Sequence, residues 1–420
     1  MVTIQTLPCI PRAIDSIDFM ATAARFRLLW HDDALWRARR ALAARDEAII
    51  SSQIAISEIP APTGDEGERA EWISRRFRQL ELLNVHTDEA GNVHGSRPGA
   101  VDAAPVVICA HLDTVFPRGT EIRVQQDGGR LTGPGIGDNG RGLAAMLALA
   151  EIIDGRSLRT RIPVHFVATT GEEGSGNLRG AKHVFADSEV GHDACAAIAL
   201  DGAGDERIVH RALGSRRYRI VYRGAGGHSW TAFGMPNPVH AAAIAAARLA
   251  RVALPTEPRT TLSVGRIGGG ISVNSIPHEA WLEVDLRSTS PIMLEQFERE
   301  VALAALGAAE EENGRRARGA AALTWRVGSI GDRPSGETPA DHPLVRMAIE
   351  ATRLIGREPE LATASTDANV PISRGIPAIA IGAGGRGGDA HSASEWFDNT
   401  DGQLGVARAL GIVVGAAGLA

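Results

Sequence analysis

The sequence predicts an α/β protein, a mostly parallel mixed sheet flanked by helices, with a ferredoxin-like α+β unit inserted into it. Three observations lead there. Short, predominantly apolar runs recur at residues 105–110 (PVVICA), 162–168 (IPVHFVA), 196–200 (AAIAL) and 376–382 (IPAIAIG). Runs of that kind suit strands buried on both faces of a parallel sheet. Helical patterns such as GLAAMLALAEIIDG (142–155) lie between them, and strands alternating with helices make a parallel α/β layer. Over residues 214–329 the order changes to strand, helix, strand, strand, helix, strand.

Residues 1–35 show weak periodicity and are expected to form an accessory arm or a helix covering the main domain. From about 36 to 57 the pattern is helical. SEIPAPTGDEG is a loop, and GERAEWISRRFRQLEL is an amphipathic helix that Thr63 or Asp65 is placed to cap. In the inserted unit SRRYRIVYR alternates as a strand, and NPVHAAAIAAARLARVAL is a helix with Asn237 as cap and Pro238 in its first turn. TTLSVGRI and AWLEVDLRS are the next strands. PIMLEQFEREVALAALGAAEEENG is a helix capped by Ser290, and AALTWRVGS is the last strand. The expected division is a main domain over 1–213 and 330–420, interrupted by 214–329.

Composition narrows the function classes. The 420 residues are 44% hydrophobic and 22% charged, an ordinary globular balance for two or three domains. A formal net charge of −6 carries no basic footprint, which excludes nucleic acid as the expected partner. Cys9, Cys109 and Cys195 lack CxxC spacing, and the last two lie in apolar contexts, as buried thiols of a reducing compartment do. Asp15 and Asp18 interrupt any apolar leader, and no uninterrupted apolar stretch approaches about eighteen residues. The expected location is the cytoplasm, without membrane contact.

Each buried strand runs into a potential metal ligand. VVICA leads to His111 and Asp113, HFVATTG to Glu172 and Glu173, AAIAL to Asp201, and IPAIAIG through GAGGRGGDA to His391. Asp138 lies in GPGIGDNGRG, just before the helix starting near Gly142. Open α/β sheets bind ligands outside the carboxyl ends of their strands, so these segments should converge on one edge. Two imidazoles with three or four carboxylates can hold a pair of zinc-like ions, one carboxylate bridging. Such a pair suits hydrolysis, because it activates water and stabilises a developing oxyanion. Asp113, two residues beyond His111, fits a carboxylate that orients the imidazole.

Adjacent side chains point in different directions, so one glutamate of the pair can bind metal while the other faces the attacking water as general base. Gly171 and Gly174 permit the tight turn that presents both. GIGDNG (135–140) also satisfies the G-x-G-x-x-G template of dinucleotide loops. It follows the polar RLTGP rather than a buried strand, and it puts Asp138 where a pyrophosphate would sit. The metal reading is preferred.

AHLDTV, GPGIGDNGRGLAAML, TTGEEGSG, ALDG and DAHSASEWF resemble successive motifs of the two-zinc metallopeptidases that include tripeptidase T, carboxypeptidase G, aminoacylase and succinyl-diaminopimelate desuccinylase. GAGGHSW and GGGISVNSIPHEAWLEVDLRS resemble the lid of that family, and the likeness runs from about residue 40. The resemblance implies the zinc-peptidase type of sheet with a lid that serves as dimerisation domain. It implies that His111 and Asp201 bind one zinc, that Glu173 and His391 bind the other, and that Asp138 bridges them. Glu172 is then the base and Asp113 the support of His111. His228 resembles a histidine that reaches the neighbouring subunit's active site and polarises the substrate carbonyl, which implies a homodimer. Asn274 and Arg287 resemble lid residues that hold substrate, the arginine gripping a carboxylate. Cobalt or manganese are open alternatives to zinc at such ligands.

Many deacylases of the family carry Met-Lys after the bridging aspartate. Here Asn139-Gly140-Arg141 follows, which with STDANVP (365–371) resembles the peptidase branch. The expected activity is cleavage of amide bonds in di- or tripeptides. An N-acyl- or N-carbamoyl-amino acid amidohydrolase using the same metals is the alternative. A non-catalytic peptide-binding relative is disfavoured because neither the base nor a ligand is missing.

Overall fold

The computed structural model describes residues 19–154 and 157–420, so Cys9 and half of the expected N-terminal arm lie outside the described residues. The chain forms two compact units. One contains the chain up to His210 with Thr338–Ala362 and Thr366–Ala420; the other contains Arg211–Glu337 with Thr363–Ser365.

The first unit is built on a mixed sheet of β1 (Leu83–Thr87), β2 (Val93–Arg97), β3 (Val106–His111), β4 (Val164–Thr169), β5 (Ala196–Leu200), β6 (Arg207–Ala212) and β7 (Ala378–Ile381). Their spatial order is β1-β2-β4-β3-β5-β7-β6. The central four, β4, β3, β5 and β7, run parallel, and the outer pairings are antiparallel. β3, β4, β5 and β7 are buried at every residue, as their largely apolar runs require.

Helices cover this sheet: α1 (Phe19–Trp30), α2 (Asp33–Ala43), α3 (Asp46–Ser57), α4 (Gly67–Gln79), α5 (Gly140–Ile152), α6 (Pro343–Leu354) and α7 (Gly402–Ala417). α5 is apolar nearly all round and correspondingly buried; Leu143, Met146 and Leu149 join Ile108, Phe166 and Ile198 in one core. α1 packs against α6 and α7 and buries Phe26 and Trp30 in the same core, so the described part of the arm is a covering helix.

Two local expectations are corrected. The helical stretch from 36 to 57 is two helices, with a turn at Ala44 and Arg45 between them. No Gly or Pro marks that break, so periodicity alone does not reveal it. Neither Thr63 nor Asp65 caps α4. Glu66 occupies the cap position without a side-chain cap bond, while Thr63 donates to Asp113 and Asp65 pairs with Arg118.

The second unit has the order β-α-β-β-α-β: strands Gly214–Arg223, Thr260–Gly269, Glu279–Ser288 and Thr324–Arg333, with helices Pro238–Leu249 and Pro291–Gly314. In space Thr260–Gly269 and Thr324–Arg333 lie at the edges, Glu279–Ser288 and Gly214–Arg223 lie between them, and all pairings are antiparallel. This is the ferredoxin-like arrangement. Tyr218, Ile220, Tyr222, Leu282 and Val284 form one core with Ala242 and Ala305 of the two helices. The alternate residues of the same strands carry ion pairs, Arg217 with Asp285 and Arg219 with Glu283. Asn237 and Ser290 cap the two helices as expected, accepting from Val239 N and Met293 N.

Candidate metal centre

The acids and histidines singled out at the strand ends come together. His111 is the last residue of β3, Asp201 follows β5 directly, and Asp138 stands just before α5. His111 Nε2 lies 2.9 Å from Asp138 Oδ1 and 3.9 Å from Asp201 Oδ1. His391 Nε2 lies 2.9 Å from Glu173 Oε1 and 3.3 Å from Asp138 Oδ2. Three groups each hold their donor atoms within 4.8 Å of one another: His111, Asp138 and Asp201; Asp138, Glu173 and His391; and His111, Glu172 and Glu173. The first two share Asp138, whose two oxygens face different histidines. Four carboxylates stand against two imidazoles here, an excess of negative charge on oxygen and nitrogen donors that suits divalent transition ions.

The Asp113 carboxylate, expected to orient His111, is turned mainly to main chain and to Thr63. It is fully buried; Oδ1 accepts the Glu172 N–H at 2.9 Å and Oδ2 accepts the Glu173 N–H at 3.0 Å and the Thr63 hydroxyl at 2.8 Å. His111 Nδ1 is 3.0 Å from the Asp113 main-chain carbonyl and 3.5 Å from Oδ1. A proton on Nδ1 donated to that carbonyl leaves the Nε2 lone pair directed towards Asp138 and Asp201.

The charges of this cluster are strongly interdependent. Burial opposes protonation of His111, but Asp113, Asp138 and Asp201 outweigh it and raise its pKa well above the ordinary value. The hydrogen bond to Asp138 leads in lifting His391 to about 9. Asp138 is held below the usual carboxylate range, the two histidines overcoming its burial. Burial is the main cause that raises Glu173. A bound cation would reverse this balance, because ligating imidazole must be neutral.

Several supporting residues had no assigned part in the sequence reading. Glu395 accepts the N–H groups of Gly135, Gly137 and Asp138. Glu66 accepts from Gly64 N and Gly171 N, and Asn92 accepts from Thr170 N, so both hold the turn that carries the paired glutamates. Asn139 caps α5 while its amide donates to the Leu200 carbonyl at the end of β5. Arg141, buried and lowered to about 10 by that burial, donates to the carbonyls of Ala383 and Gly402. Glu395 left a signal in its spacing of four residues from His391, and Asn139 and Arg141 in their place directly after Asp138. A cavity of about 740 Å³ adjoins Asp138 and Asp201 and is walled by Gly202, Gly388, Arg386 and Trp396.

His228, Asn274 and Arg287 belong to the second unit. His228 lies in the short strand Gly227–His228, paired with Ser275–Ile276, and its Nδ1 accepts the Trp230 N–H at 3.2 Å. The Asn274 carbonyl accepts the Ser229 N–H at 3.0 Å, so these two residues are neighbours. Arg287 is not with them. It sits near the end of Glu279–Ser288 that pairs with Ser215, and its Nε donates to Asp285 Oδ2 at 2.6 Å. At about 3.4 Å per residue the strand separates that end from Glu279 by roughly 27 Å.

The model of peptidase family M20/M25/M40 matches residues 107–413. The chain belongs to that family.

A succinyl-diaminopimelate desuccinylase from Corynebacterium glutamicum is 26% identical over 238 residues, covering 55% of this chain and 63% of that protein. The chain spans less than two thirds of the length of the curated relatives it matches. A tripeptidase from Staphylococcus aureus shares the fold at a TM-score of 0.72 and 23% identity, over 88% of this chain and 98% of that one. The Bacillus subtilis YXEP protein, described as a dinuclear metal binding peptidase of family M20, does so at 0.63 and 17%, over 89% and 98%. No helix among the described residues is long and apolar enough to cross a membrane.

Proposed function

We propose that this family M20/M25/M40 member hydrolyses amide bonds of small substrates, di- and tripeptides in the first place, with two divalent ions. The observation that carries the reading is Asp138 shared between two ligand groups, with Glu172 beside them. In this reading His111 and Asp201 hold one ion, Glu173 and His391 the other, and Asp138 bridges. Zinc is the proposed metal, with cobalt or manganese acceptable to the same donors. When bound, the ions polarise the scissile carbonyl and make water acidic enough to attack near neutral pH.

The chain's own residues account for the proton. Glu172, its main chain held by Asp113, takes a proton from the attacking water as oxygen bonds to the carbonyl carbon. It delivers that proton to the nitrogen as the C–N bond breaks, leaving a carboxylic acid and an amine. The second unit is proposed as lid and dimerisation domain of the catalytic unit, in a cytoplasmic enzyme. His228 and Asn274 lie at the sheet end away from Ser215, which follows the chain's entry into that unit, whereas Arg287 lies at the entry end. His228 is proposed to serve a second copy of the chain, and Asn274 and Arg287 to hold substrate.

The name of the Corynebacterium glutamicum relative, a desuccinylase, favours the second reading, an N-acyl- or N-carbamoyl-amino acid amidohydrolase. A mass-spectrometric hydrolysis panel separates the two. It would hold dipeptides, tripeptides, N-acetyl, N-succinyl and N-carbamoyl amino acids, each with added zinc or with chelator. Chelator-sensitive cleavage confined to the peptides is expected; cleavage confined to the acylated or carbamoylated amino acids would replace the proposed substrate class.

A further inference from the structure

Glu395 is 2% exposed, and its carboxylate faces main-chain N–H groups. Its Oε1 accepts the N–H groups of Gly137 and Asp138, each at 2.8 Å, and its Oε2 accepts that of Gly135 at 2.9 Å. Its own carbonyl accepts the Gly133 N–H at 2.9 Å. Four hydrogen bonds therefore run from one residue to the short segment 133–138. Main-chain N–H groups converging on an anion form a nest, and here the anion is supplied by the protein itself.

The segment is shaped for this contact. Gly135 has φ +72°, in the left-handed region that glycine tolerates at little cost. At Gly137 a Cβ would come within 3.1 Å of Glu395 Oε1, so a larger residue would press on the carboxylate. On the other side, Glu395 closes a compact turn behind His391. Ser392 N–H donates to the Asp389 carbonyl at 3.1 Å, and Glu395 N–H donates to the Ser392 carbonyl at 3.1 Å. The two elements joined by Glu395 are thus the ones that carry Asp138 and His391, which meet at 3.3 Å.

We propose that Glu395 is a positioning residue for the metal pair: it locks the Asp138 segment to the His391 turn, so that the shared carboxylate and a histidine from a remote part of the chain are set as one unit. The proposal rests on the two-metal reading. It assigns Glu395 a task that a mere buttress would not have, because the direction of the Asp138 oxygens depends on the main chain that Glu395 holds. Outer partners of that kind typically change metal affinity by about 10- to 100-fold when removed.

The test is Glu395→Gln, which keeps the volume but turns an amide NH₂ towards main-chain N–H donors. Metal-free wild type and variant are titrated with Co²⁺ by calorimetry, well below their unfolding temperatures, and the visible absorption of each loaded protein is recorded. Two ions are expected in the wild type. In the variant the affinity should fall about 10- to 100-fold and the absorption bands should shift. Gly137→Ala retains the carboxylate and displaces it, and should move both readings the same way by less; if Glu395→Gln does not fold, Gly137→Ala decides. Unchanged affinity and spectrum in the folded variant would overturn the proposal and leave the two-metal reading intact, even with a lowered unfolding temperature. A wild type that takes up fewer than two ions would overturn both.

Discussion

Asp113 Oδ2 accepts the backbone N–H of Glu173 at 3.0 Å, and its Oδ1 accepts that of Glu172 at 2.9 Å. One buried acid therefore grips the main chain of both glutamates at once. Asp113→Asn keeps one acceptor and opposes the other N–H with an NH₂ group. We expect kcat to fall by about 10²-fold, the scale of a misplaced catalytic group. Stability should fall by about 1–3 kcal/mol, the scale of an unsatisfied buried partner. Steady-state kinetics with thermal unfolding would measure both, and wild-type kcat in the variant would show that the grip is dispensable.

The two glutamates should separate experimentally. Glu172→Gln is expected to lose about 10²- to 10⁴-fold in turnover, the range of a general base, while retaining both ions. Glu173→Gln should lose one ion. Metal content by plasma mass spectrometry reads the difference, and equal metal loss in both variants would contradict the division of roles.

A histidine outside the centre should shape the acid side of the stability profile. Burial, followed by the charges of His94 and His86, lowers His165 from 6.5 to about 3, and its Nε2 meets His94 Nδ1 at 2.9 Å. The unfolded chain then binds the extra proton first, so the His165 contribution is complete above pH 6.5 and is lost as pH falls towards 3. Between pH 7 and pH 5 that amounts to about 2 kcal/mol. His165→Gln can keep a hydrogen bond to His94 without titrating, and should flatten the fall in unfolding temperature over this range. An equal slope in the variant would assign the acid sensitivity elsewhere.

Trp30 tests the covering helix. It is 3% exposed, it lies against Gly411 of α7, and the Arg39 guanidinium sits 3.9 Å over its ring. Trp30→Ala should cost about 3–5 kcal/mol in denaturant unfolding, the range for a large aromatic removed from a packed core. A loss within experimental error would mean that α1 contributes little to the main unit.

Action of His228 across subunits predicts complementation. Mixed His228→Ala and Glu172→Gln proteins should regain activity through hybrid dimers that hold one intact site. Demonstrated subunit exchange without recovery would confine His228 to its own chain.

The buried strands were legible in the sequence because a largely apolar run has few places to go in a soluble fold. β3, β4, β5 and β7 lie within a few residues of those runs. Most candidate ligands were legible for a related reason, since a polar residue ending a buried strand must emerge at the sheet's edge. The βαββαβ unit followed from pattern order, and Asn237 and Ser290 from cap chemistry. The α4 start misled because Thr63 and Asp65, good caps by type, are drawn to Asp113 and Arg118 instead.

By itself, then, the sequence determined which segments are buried, in what order they alternate, and which acids and histidines end them. Those properties reside in neighbouring residues and in the need to remove apolar surface from water. Tertiary structure alone decided that Asp138 offers one oxygen to each histidine, that Asp113 holds the glutamate turn, and that Glu395 fills a nest of N–H groups. Each of these is a hydrogen-bonding relation a few ångströms long between remote segments, and such short directional contacts exist only once the whole chain has packed.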